Sequence, residues 1–348
     1  MKRWAIALSL LVFAGCGPSK EEGATPSGGS TKQAKSLTVS VVTDAGGVDD
    51  ESFNAAAWAG AQTAKAELGI NAKLVESKEQ SDYATNLSTL AEQGSDLVFA
   101  VGFLMEDALK EVAPKYPNVK FAIIDGTAPE GAANCESIKF REEEGSFLAG
   151  FLAASMSKSG TIGFIGGMDS PLIKKFECGY FAGARTAKPD IRMIPKYVGN
   201  WTDAAKGSEL ARGLINTGAD IIFCAAGKGG TAALGTIAEK GAGYYGIGVD
   251  SDQDGLHPGR VLTSMMKGVD TSVVTSAKAL KNGTWKAGNI ELGIKEGGVH
   301  LSPMKHTKDA VPKEVLDKID TLSKMIADEK IKVPKTAEES QNFQLPKL

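Results

Sequence analysis

The chain repeats its own plan. "EQGSDLVFAVGF" (Glu92 to Phe103) ends a helix, turns on Gly94-Ser95-Asp96 and enters an apolar run. "NTGADIIFCAAG" (Asn216 to Gly227) ends a helix, turns on Gly218-Ala219-Asp220 and does the same. A second apolar run closed by an aspartate follows each: "VKFAIIDG" at Asp125 and "GYYGIGVDSD" at Asp250. Asp96 and Asp125 are 29 residues apart, Asp220 and Asp250 are 30. Upstream stand two capped helices with an apolar stripe, "SDYATNLSTLAE" and "TDAAKGSELARGL". Short apolar runs alternating with helical patterns build parallel sheets covered by helices. Two copies therefore predict two similar α/β lobes, each a doubly wound, mainly parallel sheet, joined by a hinge with a cleft between them. Ligands of such sheets bind beyond the carboxyl ends of the strands, and a cleft between lobes is the usual place for a small molecule.

In the first copy the predicted strands are 37–43, 71–76, 96–101, 119–124 and 135–140; in the second, 160–166, 191–198, 219–225 and 243–249. The predicted helices are 52–67, 81–93, 104–113, 142–157, 170–186, 202–216 and 228–240. Two lobes that close on a ligand need the chain to cross between them more than once. "VLTSMMKGVDTSVVTSAKAL" (Val261 to Leu280) reads as a strand and helix returning to the first lobe. The expected organisation is 37–141 plus 260–285 for the first lobe, 142–259 plus 286–334 for the second, and 335–348 as a C-terminal tail.

The amino terminus bears on location. "MKRWAIALSLLVFAGC" carries Lys2 and Arg3, then an apolar stretch from Trp4 to Gly15, then Cys16. That stretch is shorter than the ~20 residues a spanning helix needs, and it fits a secretory signal over 1–15. "FAGC" resembles the bacterial lipobox, whose cysteine is acylated and becomes the mature N-terminus, although Phe13 stands where Leu is usual. Residues 16–36 are Gly, Ser, Pro, Lys and Glu with almost nothing to bury, which is a tether's composition. The expectation is a monomeric body held by lipid at Cys16 to the extracytoplasmic face of a cell membrane, periplasmic or extracellular. A formal net charge of −3 offers no basic field for nucleic acid. The three His residues form no ligand pattern with any Cys, so neither a metal nor a cofactor is expected. Cys224 lies in an apolar run and reads as a small core residue. For Cys135 and Cys178, spacing leaves a disulfide and two isolated thiols equally open.

The strand-to-helix turns hold the informative residues. "VTDAGGVDDESFN" (Val42 to Asn54) gathers glycines, acids and an aromatic ring behind the first strand, with Asp50 or Ser52 available to cap the next helix. "GKGGTA" (Gly227 to Ala232) fits G-x-G-x-x-A, but it follows the third strand of its lobe rather than the first. Lys228 is followed by Gly rather than Ser or Thr, which argues against a phosphate loop, and a close backbone approach remains. There is no G-x-S-x-G elbow and no HExxH, so no enzyme is expected. "REEEGSF" (Arg141 to Phe147) reads as a helix N-terminus favoured by the dipole. Aromatics make up 7% of the chain, so Phe53 and Trp201, one on a polar loop of each lobe, are candidates to hold a flat ring across the cleft.

These residues resemble the basic membrane protein family, the purine nucleoside receptor type of substrate-binding lipoprotein. The resemblance runs from Leu37 to about Pro334 and is carried by "DESFN", "VGF", "REEEGSFLAGFLA", "GFIGGMDSPLIKKFECGYFAGA", "WTDAAKG", "AAGKGG", "GIGVDSDQ", "LTSMMKGVD" and "GVHL". It implies a type I periplasmic-binding-protein-like fold that feeds nucleosides to the permease subunits of an ABC importer. It implies that Phe53 and Trp201 stack on a purine, with Trp201 where the family often has Phe. Asp44 would bind the base, and Asp250 and Lys267 would hold the ribose hydroxyls. Asn54, Asp125 and Gly227 would line the pocket. A receptor for a sugar or signalling molecule on the same fold, and less so an exported nucleoside hydrolase, are the alternatives.

Overall fold

A computed structural model of the chain describes residues 36–344. The signal, Cys16 and nearly all of the tether lie outside the described residues. The chain runs β1 (Thr38–Thr43), α1 (Phe53–Leu68), β2 (Asn71–Glu76), α2 (Tyr83–Glu92), β3 (Leu97–Val101), α3 (Glu106–Val112), β4 (Lys120–Ile124) and β5 (Cys135–Phe140). It continues through α4 (Glu142–Met156), β6 (Thr161–Gly166), α5 (Pro171–Ala187), β7 (Arg192–Tyr197), α6 (Ala204–Asn216), β8 (Ile221–Ala225), α7 (Gly227–Lys240), β9 (Tyr245–Asp250) and β10 (Val261–Lys267). The last elements are α8 (Val269–Lys281), β11 (Gly288–Leu292), β12 (Val299–Leu301), α9 (Lys313–Ala327) and α10 (Ala337–Asn342).

Two six-stranded sheets form, in the orders β11-β5-β4-β3-β1-β2 and β12-β10-β9-β8-β6-β7. Every pairing is parallel except β10 with β12. The central strands are apolar from end to end and buried throughout, as in "LVFAV" and "IIFCA", because helices cover both faces. Pro195 sits in β7, which pairs only with β6, and an edge strand tolerates a missing N–H. The order 2-1-3-4-5 appears in each lobe, so each has a switch point between its first and third strands, where outgoing loops diverge and leave a crevice.

The crossings differ from the expected ones. Strand 261–267 does not join the first lobe at 260: β10 pairs with β9, from Val261 opposite Gly246 to Met266 opposite Asp250. The sequence reading left the second lobe one strand short of the first, and β10 supplies it. The return comes at Gly268, after which α8 packs on α1 so closely that a Cβ on Gly60 would lie 2.5 Å from the Asp270 carbonyl oxygen. Residues 286–292 do not belong to the second lobe either, because β11 extends the first sheet beside β5. The chain rejoins the second lobe at β12. The three crossings lie together: Arg141 N–H donates to the Leu292 carbonyl (3.0 Å), and Gly268 N–H donates to that of Gly298 (2.8 Å). The expected tail instead folds in part into α10, which packs on α5 and brings Phe343 edge-on to Phe147.

Candidate functional site

Loops from the carboxyl ends of β1, β3 and β4 meet those of β8, β9 and β10 around a cavity walled by both lobes. Asp44, Phe53, Asn54, Asp125, Trp201, Gly227, Asp250 and Lys267 all line it, so the structure brings together the eight ligand-binding candidates read from the sequence.

On the first lobe, Asp44 leaves β1 and turns inward. Its Oδ1 accepts from Gly46 N–H (2.8 Å) and from Asn54 Nδ2 (2.8 Å). Gly46 is required here by packing: a Cβ would lie 2.9 Å from both Asn54 Nδ2 and Asp44 Oδ1. Asn54 Nδ2 also reaches Asp50 Oδ2 (3.0 Å), tying two buried carboxylates together. Burial pushes Asp44 up to about 6, against the pull of these donors. Of the two possible caps for α1, Asp50 serves, accepting from the N–H groups of Ser52, Asn54 and Ala55 at 2.9–3.0 Å. Ser52 turns the other way and donates its hydroxyl to Asp250 Oδ2 on the second lobe (2.6 Å).

Lys267 ends β10 only 3% exposed, beneath the rings of Phe53 (4.7 Å), Phe140 and Phe176. Its ammonium bonds to Asp125 Oδ2, and it lies 3.7 Å from Asp250 Oδ1 and 3.8 Å from Glu142 Oε1. Burial alone would lower the Lys267 pKa, but Asp125, Asp250 and Glu142 outweigh it and hold it above the ordinary lysine value. Burial raises Asp250 despite Lys267 and Ser52, and it lifts Glu142 to about 7 despite Lys267 and Lys175. The two duplicated aspartates share a backbone feature: Asp125 (φ 62°) and Asp250 (φ 64°) are both left-handed, which turns their carboxylates off the strand ends toward one lysine. Glu142 opens α4, the helix N-terminus that "REEEGSF" predicts, but it is wholly buried there, and its Oε2 accepts from Lys175 Nζ at 2.9 Å.

The aromatic groups come from both lobes. The Trp201 indole lies across Gly167, where a Cβ would be 2.0 Å from a ring carbon. Phe103 stands edge-on to Trp201, with centroids 6.5 Å apart. Phe103 and Phe176 also line the cavity and were missed as site residues; Phe103 had a signal, since it follows β3 as Phe53 follows β1. The glycine motif at 227–232 serves packing and closure. Gly227 adopts φ 52° against the Trp201 carbonyl, and Gly229 lies against Gly207 on α6.

The acidic turn 49–52 clasps the opposite lobe. Asp49 pairs with Lys228 (2.7 Å), the Asp50 carbonyl accepts from Thr231, the Glu51 carbonyl accepts from Gln253, and Ser52 bonds to Asp250. The lobes are therefore closed on one side of the cavity. Cys135, Cys178 and Cys224 are free and buried, which resolves the open disulfide question in favour of isolated thiols. Among the described residues no cluster of His, Cys, Asp and Glu could hold a metal, and no helix is long and apolar enough to cross a membrane.

The sequence profile of a family described as "ABC transporter substrate-binding protein PnrA-like" matches residues 37–337. Basic membrane protein A1 of Borrelia garinii subsp. bavariensis is 37% identical over 321 residues, spanning 91% of this chain and 94% of that protein. A Lactococcus lactis subsp. cremoris protein named "ABC transporter nucleoside-binding protein BmpA" is 37% identical over 340 residues, 91% of this chain and 95% of its own. Among solved structures, an ABC transporter solute-binding protein of Aeropyrum pernix K1 superposes with a TM-score of 0.81 at 27% identity, covering 88% of this chain and 96% of that one.

Proposed function

This chain belongs to the PnrA-like family of ABC transporter substrate-binding proteins, and we propose that the ligand its cleft captures is a nucleoside with a purine base. One observation carries the reading: aromatic rings from both lobes share a cavity with a buried Asp125–Lys267–Asp250 cluster. Rings accept the π face of a base, and fixed carboxylates accept from vicinal hydroxyls. Phe53 and Trp201 stack on the base, Asp44 accepts from its N–H groups, and Asp250 with Lys267 holds the ribose. Asn54, Asp125 and Gly227 complete the wall. Lys267 is neutralised by its carboxylates, so the cavity selects an uncharged nucleoside over a nucleotide. Binding and release involve no chemistry on the ligand, which passes to the permease subunits of an importer.

Calorimetric titration with adenosine, guanosine, inosine, ribose and adenine tests this. Stacking on an aromatic side chain is worth about 1–3 kcal/mol, so Phe53→Ala and Trp201→Ala should each weaken adenosine roughly 5- to 150-fold. Adenine should be weakened alike. Near-wild-type affinity in both variants, with unchanged melting curves, would make the two rings packing residues. Ribose bound more tightly than adenosine would favour the sugar receptor.

We further propose that the protein acts as a monomer, anchored by acylated Cys16 to the outer face of a membrane. A lipoprotein carries more than one acyl chain, so attachment is stable rather than reversible. Cys16→Ala should move the protein from the detergent phase to the aqueous phase with ligand affinity intact. A variant still in the detergent phase would place the anchor elsewhere.

A further inference from the structure

The turn at 49–52 closes one side of the cleft; away from those bonds lies a second chamber, open to solvent. Phe103, Asp125 and Leu172 are walls of both chambers. The second adds Glu106 and Lys139 from the first lobe, with Glu142, Ser170 and Lys175 from the second, and it reaches solvent past the exposed Pro171. Two acceptors in its wall accept no hydrogen bond. Asp125 bonds to Lys267 through Oδ2, and its Oδ1 is buried without a donor; Glu142 bonds to Lys175 through Oε2, and its Oε1 has only the Lys267 ammonium at 3.8 Å, beyond hydrogen-bond reach. Their side chains are 4% and 0% exposed. A buried acceptor without a donor is costly unless something supplies one.

We propose that this chamber receives a zwitterionic, amino-acid-like group on the 5′ carbon of the bound nucleoside. The inference rests on the nucleoside reading above. With the vicinal hydroxyls held by Asp250 and Lys267, the 5′ carbon is the free arm of the sugar, and the shared Asp125 puts the second chamber beside it. An ammonium group donates to Asp125 Oδ1 and Glu142 Oε1. A carboxylate meets Lys139, whose ammonium otherwise holds only the Thr127 hydroxyl (2.8 Å) at a partly exposed position. A phosphate is disfavoured: Lys175 is already held by Glu142 and the Phe140 carbonyl, and Glu106, Asp125 and Glu142 outnumber the two lysines of the wall.

Titration of the full protein with adenosine, S-adenosylhomocysteine and adenosine 5′-monophosphate decides the matter. S-adenosylhomocysteine should bind within about tenfold of adenosine, and the monophosphate at least about 30-fold more weakly. Lys139→Trp fills the chamber without touching the first one; it should leave adenosine within about threefold and weaken S-adenosylhomocysteine at least about 30-fold. Adenosine bound with S-adenosylhomocysteine more than about tenfold weaker overturns this inference alone, as does Lys139→Trp weakening both ligands equally, or a monophosphate bound as well as S-adenosylhomocysteine. Failure of adenosine itself overturns the nucleoside reading and this inference with it.

Discussion

Lys267→Met should destabilise the folded protein by about 3–5 kcal/mol, because removing one partner of a buried ionic cluster leaves the others uncompensated. Asp125, Asp250 and Glu142 converge on this ammonium, and all four groups are buried. Methionine restores the volume and the contacts with Phe53, Phe140 and Phe176, so the loss is electrostatic rather than a cavity. The sign with pH follows. Burial already raises Asp250 and Glu142, and without the lysine their folded-state values rise further. The folded variant then takes up protons that the unfolded chain has released, and its stability recovers as pH falls through those values. Urea unfolding at pH 8 and pH 5.5 should show a large deficit that shrinks on acidification. A loss below about 1 kcal/mol at pH 8 would mean that the carboxylates are compensated by something other than Lys267.

Asp44→Asn should work in the opposite direction. The Asp44 carboxyl sits at about 6, above its unfolded value of 3.8, so the folded chain keeps a proton that the unfolded chain releases. Stability therefore declines as pH rises between roughly 4 and 6 and stays lower above, by up to about 3 kcal/mol. An amide keeps the acceptor for Gly46 and Asn54 and carries no charge. The variant should melt higher than wild type at pH 8 and level with it near pH 4. Its adenosine affinity should nevertheless fall, since an ionised carboxylate is the stronger acceptor for a base N–H. Melting curves that run parallel from pH 4 to pH 8 would show that Asp44 is solvated more than its surroundings suggest.

The lobes were legible because parallel strands buried on both faces write continuous apolar runs, and the duplication wrote them twice. The candidate site was legible because the ends of such strands converge on the cleft, where Asp44, Asp125 and Asp250 stand. What escaped was long-range or edge-bound. β11, "GNIEL", is an exposed edge strand of polar character, and nothing in its pattern announces a partner 152 residues away. β10 reads as a good strand, but no local signal says which sheet it extends. Glu142 sits in a run of three glutamates, the composition of a solvated helix end. Its burial depends on Lys175 and Lys267, which only the fold brings near. The clasp at 49–52 is of the same kind, since its partners Lys228, Thr231, Gln253 and Asp250 are scattered along the other lobe.

The late return of α8 and β11 to the first lobe has a consequence for how the protein is made. When β5 leaves the ribosome the first sheet is still one strand short, and α1 lacks the helix that covers it at Gly60. Both are supplied only with residue 292, after most of the second lobe has been synthesised. At about 5–20 residues per second the nascent chain waits roughly 10–30 s with its first half unfinished. The amino-terminal half thus cannot lock into its final form ahead of the rest, and the two lobes mature almost together. If the chain is exported to the outer face of a membrane, as proposed above, that delay leaves the leading segment slack while it is threaded across.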